Sequence, residues 1–335
     1  MSHNITVDGG TSVRLKTAGK YCDRDIVVTA TGGGSSGDEW IGDGNTHIWI
    51  SLPEGRTSPM FSAGVNGSFT VDWGDGSTDE LVGTSTYSSI HTPVHTYAKA
   101  GDYIITLFGT GDIFLYGSSS SENFLVGSPN SSDGTKFAYS AAIRKVEIGD
   151  SVKRLVNGTF YACKALKSVA FSSTDIVVDG NTFYACYNLE SITLPDTIAS
   201  IGATAFGNSG LKSAVVSCIK AGTSAAMFSG CATLQSVVIT NGVTAIGNDC
   251  FYNCTALSNV VVPPSVESVG DRAFNSCKSL PSLSFTKHTS VPSLVSTNAF
   301  ISTPADFKIF VPSALVDEWK AATNWASYAD KIVGV

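Results

Sequence analysis

The sequence predicts a mainly β protein in which a small β-sandwich is followed by a solenoid of short parallel strands and a C-terminal capping helix. Three observations predict this architecture. A phenylalanine-centred motif recurs along the second half of the chain, a pattern of strands and tight turns fills residues 38–112, and residues 311–335 have helical periodicity. A chain of 335 residues also exceeds one ordinary core, so more than one domain is expected.

The repeat places apolar residues at fixed offsets from phenylalanine. Successive phenylalanines are 22 or 23 residues apart, except for a last interval of 26, and they are Phe137, Phe160, Phe183, Phe206, Phe228, Phe251, Phe274 and Phe300. Five repeats carry cysteine three residues later and leucine six residues later. Further apolar residues at offsets nine and eleven predict a short strand. One coil of this length cannot bury its own apolar side, so the coils are predicted to stack on one another.

The motif resembles the BspA-like leucine-rich repeat family over about residues 137–310. The resemblance rests on segments such as 201–206 (IGATAF) and 273–277 (AFNSC). It implies a leucine-rich-repeat solenoid and, because the family is known for bacterial surface and adhesion proteins, binding rather than catalysis. Two repeats depart from the pattern: the one after Phe206 is a residue short, and the one after Phe274 carries three extra residues. Either departure could bend the stack.

Both ends of the solenoid need a cap, because a bare end exposes the core. Ser313 is the predicted N-cap of a helix that begins at Ala314. Residues 311–335 are therefore predicted to form a lid on the last coil, with an apolar face made of Leu315, Val316, Trp319 and Ala322, and with Trp325, Tyr328 and Ile332 beside it. Residues 113–136 are the predicted connecting and N-capping segment.

The first third divides into a leader, a linker and the predicted sandwich. Residues 1–31 form a short β leader, and residues 17–26 resemble segments near the starts of phage and prophage tail proteins. The leader is too small to fold alone, so it is predicted to self-associate or to dock on a larger structure. Residues 32–37 are a Gly/Ser linker. Residues 38–112 resemble immunoglobulin-like domains of the polycystic-kidney-disease (PKD) type, on the segment 69–77 (FTVDWGDGS) and the strand around Tyr103 and Ile105.

The composition excludes several classes of function. The net charge is −7 and no basic cluster occurs, so nucleic-acid binding is not expected. No apolar run reaches the ~18 residues of a membrane span, and the N-terminus does not read as a signal peptide. No catalytic triad, phosphate-binding loop or nucleotide-binding glycine pattern occurs, so neither an enzyme nor a cofactor is predicted. The repeated cysteines are predicted to be buried thiols, with disulfides or a zinc site as alternatives.

Two groups of residues are candidate sites. Tyr161, Tyr184 and Tyr187 in adjacent coils could form one patch, and Lys167 and Ser191 lie on the outward face of the predicted strands. Exposed tyrosines favour protein or sugar contacts, although tyrosine also frames solenoid turns. In the sandwich, the carboxylates of Asp72, Asp75 and Asp79 are either calcium ligands or, as the Asp-Gly sequence favours, parts of an ordinary turn.

These observations predict a non-enzymatic extracellular recognition or adhesion protein whose partner is a host or bacterial surface protein or a glycan. A receptor-binding component of a phage or prophage tail fits the leader. A BspA-type adhesin on the bacterial cell surface is an alternative, and a purely structural spacer is another. A glycan hydrolase needs two carboxylates that converge at about 5–9.5 Å, and the acidic residues of the repeats do not share offsets.

Overall fold

The computed structural model describes residues 5–8, 10–14, 27–31, 40–55, 57–117, 126–127, 141–172, 175–195, 198–217 and 225–335. The chain forms two compact units, Met1–Gly42 and Asp43–Val335. In the first unit, three strands pair in the order β1-β3-β2, and they are β1 (Ile5–Asp8), β2 (Gly10–Arg14) and β3 (Val27–Thr31). The segment 17–26, which carries the resemblance to tail proteins, lies outside the described residues.

The second unit begins with one strongly folded antiparallel sheet. Its strands, together with a two-residue pair, are β4 (Thr46–Leu52), β5 (Pro59–Met60), β6 (Ser62–Asp72), β7 (Thr78–His91), β8 (Gly101–Tyr116) and β9 (Val126–Gly127). β8 pairs with β4 and with β6, and β6 pairs with β7. Because these four strands belong to a single hydrogen-bonded sheet, the predicted PKD-type sandwich of two sheets is not confirmed.

A row of paired glycines lets this sheet fold back on itself. Gly67 lies opposite Gly83 on one side and Gly111 on the other. A Cβ atom on Gly67 would lie 1.9 Å from the carbonyl oxygen of Thr110, and its φ of +136° is a conformation that favours glycine. The bend brings the rings of Phe61 and Trp73, at opposite ends of β6, to a centroid distance of 5.6 Å.

Two strands of the folded sheet pair with the first two strands of the solenoid. The first solenoid strands are β10 (Ile143–Ile148) and β11 (Val152–Leu155). β4 pairs antiparallel with β10, and β8 pairs parallel with β11. β8 runs without a break to Tyr116, past residue 112, where the sequence predicts the end of the sandwich. In the described part of the chain, β4 and β8 therefore cover the first coil, a role that the sequence assigns to residues 113–136.

The coils of the solenoid form two series of parallel strands, and six of the described coils contribute a strand to both. The front strands after β10 are β12 (Ser168–Phe171), β14 (Ser191–Leu194), β16 (Ser213–Val216), β17 (Ser236–Ile239), β19 (Asn259–Val261), β21 (Ser282–Ser284) and β23 (Lys308–Val311), closed by β24 (Ile332–Gly334). The back strands after β11 are β13 (Val177–Val178), β15 (Ser200–Ile201), β18 (Ala245–Ile246), β20 (Ser268–Val269) and β22 (Ser293–Leu294). These short parallel strands confirm the predicted solenoid.

A continuous column of phenylalanine rings runs through the interior. Neighbouring rings from Phe160 to Phe300 are stacked at centroid distances of 5.3–5.8 Å and interplanar angles of 2–19°. All seven side chains are buried. Burial of each is worth about 1.5–3 kcal/mol relative to exposure, so the column is a main source of the solenoid's stability. Phe137 lies outside the described residues.

Residues with a left-handed backbone conformation lie on both sides of the phenylalanine column. The residue two places after phenylalanine has positive φ in every described coil, namely in Ala162, Ala185, Asn208, Gly230, Asn253, Ser276 and Ser302. This conformation costs about 1–2 kcal/mol in a non-glycine residue. The alternating backbone points its N–H groups at the next coil, as in the bonds from Phe160 N to Thr182 O (2.8 Å) and from Ala162 N to Tyr184 O (2.7 Å). These bonds recur along the stack and offset the cost.

The repeated cysteines are free, buried thiols. From Cys186 onward each thiol donates to the carbonyl oxygen of the phenylalanine in the preceding coil, at 3.0–3.2 Å, and the donors are Cys186, Cys231, Cys254 and Cys277. Burial raises the pKa of the thiols, to about 12 for Cys186 and about 11 for Cys231. The interpretation as buried thiols is therefore confirmed for the described cysteines.

The C-terminal residues form the predicted lid, although the predicted cap residue is wrong. α1 covers Val316–Ala321 and is preceded by a 3-10 turn over Ser313–Leu315, so Leu315 rather than Ser313 occupies the N-cap position. The 3-10 turn precedes the helix because the carbonyl oxygen of Pro312 accepts the N–H of Leu315 at 2.9 Å. Trp319 and Trp325 are buried against Phe285 and confirm the lid. In the described part of the chain, no helix has the length and apolar character required to cross a membrane.

Candidate functional site

A pair of stacked tyrosines lies at the corner where each coil turns from a back strand toward a front strand. Tyr161 and Tyr184 each follow a phenylalanine of the column, so stacking of the coils brings them together. Their ring centroids are 5.3 Å apart and their planes differ by 9°. The hydrogen bond from Ala162 N to Tyr184 O fixes the backbone beneath them. The structure therefore unites two of the three predicted tyrosines in one preordered group.

The next coil holds Tyr184 in place. Gly207 occupies the same repeat position, and a Cβ atom there would lie only 3.0 Å from the Tyr184 ring. The side-chain amide of Asn208 donates to the Tyr184 hydroxyl at 2.5 Å. Because Tyr161 covers one ring face and Gly207 approaches the other, the ring of Tyr184 is held between two neighbouring coils. Asn208 was not predicted, but glycine in the tyrosine position of the next repeat is a signal that could have found this packing.

Tyr187 is the most exposed of the three predicted tyrosines. Its exposure is 56%, and it lies three residues after Tyr184 in the same turn. A Cβ atom on Gly210 would lie 1.8 Å from the carbonyl oxygen of Tyr187, and Gly210 N donates to Cys186 O at 3.0 Å. This close backbone approach lies in the repeat that is one residue short, against the turn that carries Tyr187.

Lys167 and Ser191 lie on a different part of their coils. Lys167 is exposed immediately before β12, and its N–H donates to Arg144 O at 2.9 Å. Ser191 is the exposed first residue of β14 and pairs with Ser213. These two predicted residues therefore belong to the beginning of the front strands, whereas the tyrosines belong to the corner that precedes them.

The tyrosine position recurs once more, three coils beyond Tyr184. Tyr252 is 39% exposed, and the Arg272 guanidinium lies 5.8 Å from its ring centroid, within the range of a cation–π contact. Arg272 also binds Asp249 through two nitrogens, at 2.8 and 2.9 Å. Tyr252 therefore has the same repeat position as Tyr184 but a charged neighbour instead of a second tyrosine.

The carboxylates of Asp72, Asp75 and Asp79, the candidate calcium ligands, accept hydrogen bonds from residues of their own turn. Asp72 accepts the N–H of Gly74 at 2.8 Å, and Asp79 accepts the indole N–H of Trp73 at 2.9 Å. Burial raises the pKa of Asp75, but its hydrogen bonds to Ser77 and His95 outweigh this effect and leave the pKa below its usual value. No group of three metal-ligating side chains occurs among the described residues. The arrangement is that of a hydrogen-bonded turn.

The geometry is that of a repeat solenoid whose leucine-rich coils are capped at both ends. The family model of the BspA type leucine rich repeat region matches the chain in six copies, over residues 130–248 and 221–303, which together span just over half of its length. The chain belongs to the BspA-type leucine-rich repeat family.

Three solved structures of leucine-rich repeat proteins are similar to this chain. A leucine-rich repeat protein of Eubacterium ventriosum is 25% identical over 47% of this chain and 42% of its own, with a TM-score of 0.43. One from Bacteroides ovatus is 16% identical over 74% and 70%, with a TM-score of 0.38. A leucine rich cell surface protein of Faecalibacterium prausnitzii is 25% identical over 41% and 46%, with a TM-score of 0.32. The chain thus spans less than half of the Eubacterium protein, and no curated protein matches it.

Proposed function

We propose that this protein is a non-enzymatic recognition protein that acts outside the cell and binds a host or bacterial surface protein or glycan through its tyrosine corner. The tyrosine corner is the group formed by Tyr161, Tyr184 and Tyr187. The stacking of Tyr161 on Tyr184 carries the proposal. Aromatic side chains that are already ordered lose little conformational freedom on binding and supply large contact areas, which is why they dominate many interfaces.

The charged residues of the solenoid support binding rather than catalysis. Asp179 is paired with Arg154 at 2.9 Å, Asp249 with Arg272 at 2.8 Å, and Glu190 with Lys212 at 2.9 Å, and these six residues form separate pairs. Each of these ion pairs joins neighbouring coils, so it is accounted for as an ordinary surface contact of the stack. This agrees with the binding role that the family resemblance implies.

Two settings fit an extracellular recognition protein. The family favours an adhesin on a bacterial cell surface, whereas a receptor-binding component of a phage or prophage tail remains a prediction that rests on the resemblance of the leader. An antibody against the protein separates them. Labelling of intact producing cells supports the adhesin, and co-purification with particles after prophage induction supports the tail component.

Binding to intact cells and to a glycan array tests the role of the tyrosine corner. We expect the double variant Tyr161→Ala/Tyr184→Ala to lose about tenfold or more in apparent affinity, because truncated interface anchors cost more than 1 kcal/mol. Tyr187→Ala should weaken binding as well. Tyr252→Ala is the matched control, since it removes a tyrosine from the same repeat position elsewhere.

The control also separates recognition from a spacer role. If Tyr252→Ala weakens binding as much as the double variant does, the tyrosine corner is not the site. If the folded wild-type protein binds neither cells nor glycans, the protein is better described as a structural spacer.

A further inference from the structure

A groove of about 330 Å³ lies on the folded N-terminal sheet. Its lining residues come from the start of β7 and from the segment that begins at the last residue of β7, and they are Asp79, Glu80, Leu81, His91, Thr92, Pro93 and Val94. The volume is at the lower end of the roughly 300–1,000 Å³ typical of ligand pockets. The groove is therefore suited to a side chain and a short stretch of backbone rather than to a large ligand.

One wall of the groove is an open strand edge. Among the strands that the structure describes, β7 pairs only with β6, so its second edge keeps backbone N–H and C=O groups available beside Asp79–Leu81. Farther along, the N–H of Thr84 donates to Ser89 Oγ at 3.2 Å. The register shifts after Ser85, because Gly64 pairs with Ile90 while Val65 pairs with Ser85. The residues 86–89 thus bulge and limit the open edge to the part that borders the groove.

The opposite wall is held rigidly. Val94 forms a bridge with Met60, and His95 N donates to Pro59 O at 3.1 Å. Val94 itself is 46% exposed, which leaves an apolar surface toward the groove. A strand edge on one side and a fixed segment on the other give a slot in which an extended peptide can add to β7, the mode of binding known as β-strand addition.

The lining carries negative charge and no lysine or arginine. The Asp79 carboxylate accepts the Trp73 indole N–H through one oxygen, and one oxygen of Glu80 accepts the Thr70 hydroxyl at 2.8 Å. Each acid therefore has a second oxygen for a partner. His91, whose Nε2 atom is buried without a hydrogen-bond partner, is a further polar residue of the lining.

We infer that this groove binds an extended, basic peptide segment of a partner protein, which pairs with the edge of β7 at Asp79–Leu81 and places a lysine or arginine beside Glu80. The backbone of the segment supplies hydrogen bonds, the acidic lining selects its charge, and the exposed Val94 contacts an apolar neighbour in the segment. This site is separate from the tyrosine corner and does not depend on the function proposed above.

Isothermal titration of the full-length protein with synthetic peptides tests the inference. The probes are the acetylated, amidated peptides VKVKV and VEVEV, and a form of VKVKV in which alternate amides are N-methylated. We expect measurable binding of VKVKV only, because VEVEV meets like charge and N-methylation removes the backbone donors that strand addition needs. Glu80→Gln, which keeps an acceptor for Thr70, should weaken binding of VKVKV about threefold to fivefold.

Two controls make the result specific. Asp102→Asn removes an exposed acid at the start of β8, on the same sheet, and should leave binding unchanged. The double variant Tyr161→Ala/Tyr184→Ala should bind VKVKV as the wild type does. The inference is overturned if VKVKV does not bind at millimolar concentration, if VEVEV binds equally well, or if the N-methylated peptide keeps the affinity of its parent.

Discussion

The solenoid and the folded N-terminal sheet build their cores in different ways. In the solenoid, each phenylalanine contacts the equivalent residue 22 to 26 positions away, so one short motif specifies the whole column. In the sheet, order comes from unique pairings, such as Gly67 with Gly83 and Gly111. The stability of the solenoid is therefore spread over many equivalent contacts, whereas the shape of the sheet depends on a few glycine positions.

The largest expected effect follows from removing one ring in the middle of the column. Phe228→Ala deletes stacking contacts on both sides, with Phe206 and Phe251, and leaves a cavity in a fully buried position. We expect a loss of about 3–5 kcal/mol in the free energy of unfolding, measured by urea denaturation. Phe108→Ala, in the sheet but 40% exposed, is the control and should cost much less. Equal losses would show that the column is not the main source of stability.

A smaller effect is expected at the fold of the sheet. Gly67→Ala adds a Cβ atom 1.9 Å from Thr110 O at a φ of +136°, so the backbone must shift. We expect a loss of about 2 kcal/mol or more in thermal or urea unfolding. Gly76→Ala has a φ of +93° but nothing within 4 Å of the added atom, and it should cost only about 1 kcal/mol. If the two variants are equally stable, close approach at Gly67 does not shape the sheet.

The smallest effect is a pH dependence located at the enlarged last repeat. His288 is buried, and burial lowers the pKa of its imidazole although hydrogen bonds to Val266 O and Phe285 O oppose this. The unfolded chain therefore binds this proton more tightly than the folded one. The free energy of unfolding should be unaffected by His288 above a pH of about 6.5 and should fall as the pH drops below that value.

Urea denaturation at pH 7.5 and pH 5.5 checks this expectation. His288→Gln keeps a donor and an acceptor but has no charge to gain, so the variant should lose less stability than the wild type between the two pH values. A wild type and a variant with the same pH dependence would show that His288 is not responsible.

The sequence predicts the solenoid well because its information is local and repeated. Phe160, Cys163 and Leu166 reveal their environment by recurring at the same offsets, and the apolar face with Trp319 reveals the lid. The corner conformations were not predictable in this way, since alanine, asparagine and serine all occupy the left-handed position after phenylalanine. At this position the hydrogen bonds to the next coil outweigh the preference of these residues for other backbone conformations.

The N-terminal sheet was less predictable because its determinants lie far apart in the chain. Gly67 and Gly111 read as ordinary turn or strand glycines until pairing places them side by side. The same holds for the candidate site. The spacing of Tyr161 and Tyr184 predicts their proximity, but the contact of Asn208 with the Tyr184 hydroxyl depends on the fold of a neighbouring coil.

The corner hydrogen bonds give the stack a direction. Each coil donates its corner N–H groups toward the C-terminus, and at the last coil Phe300 N finds the Tyr328 hydroxyl at 3.3 Å. An internal coil can therefore be duplicated or excised and its neighbours will still match, donor to acceptor. The two ends of the solenoid are not interchangeable. The solenoid can therefore gain or lose whole coils only if the C-terminal lid stays unchanged. Natural or engineered variants of different reach are accordingly expected to differ between β11 and β22 and to keep residues 311–335.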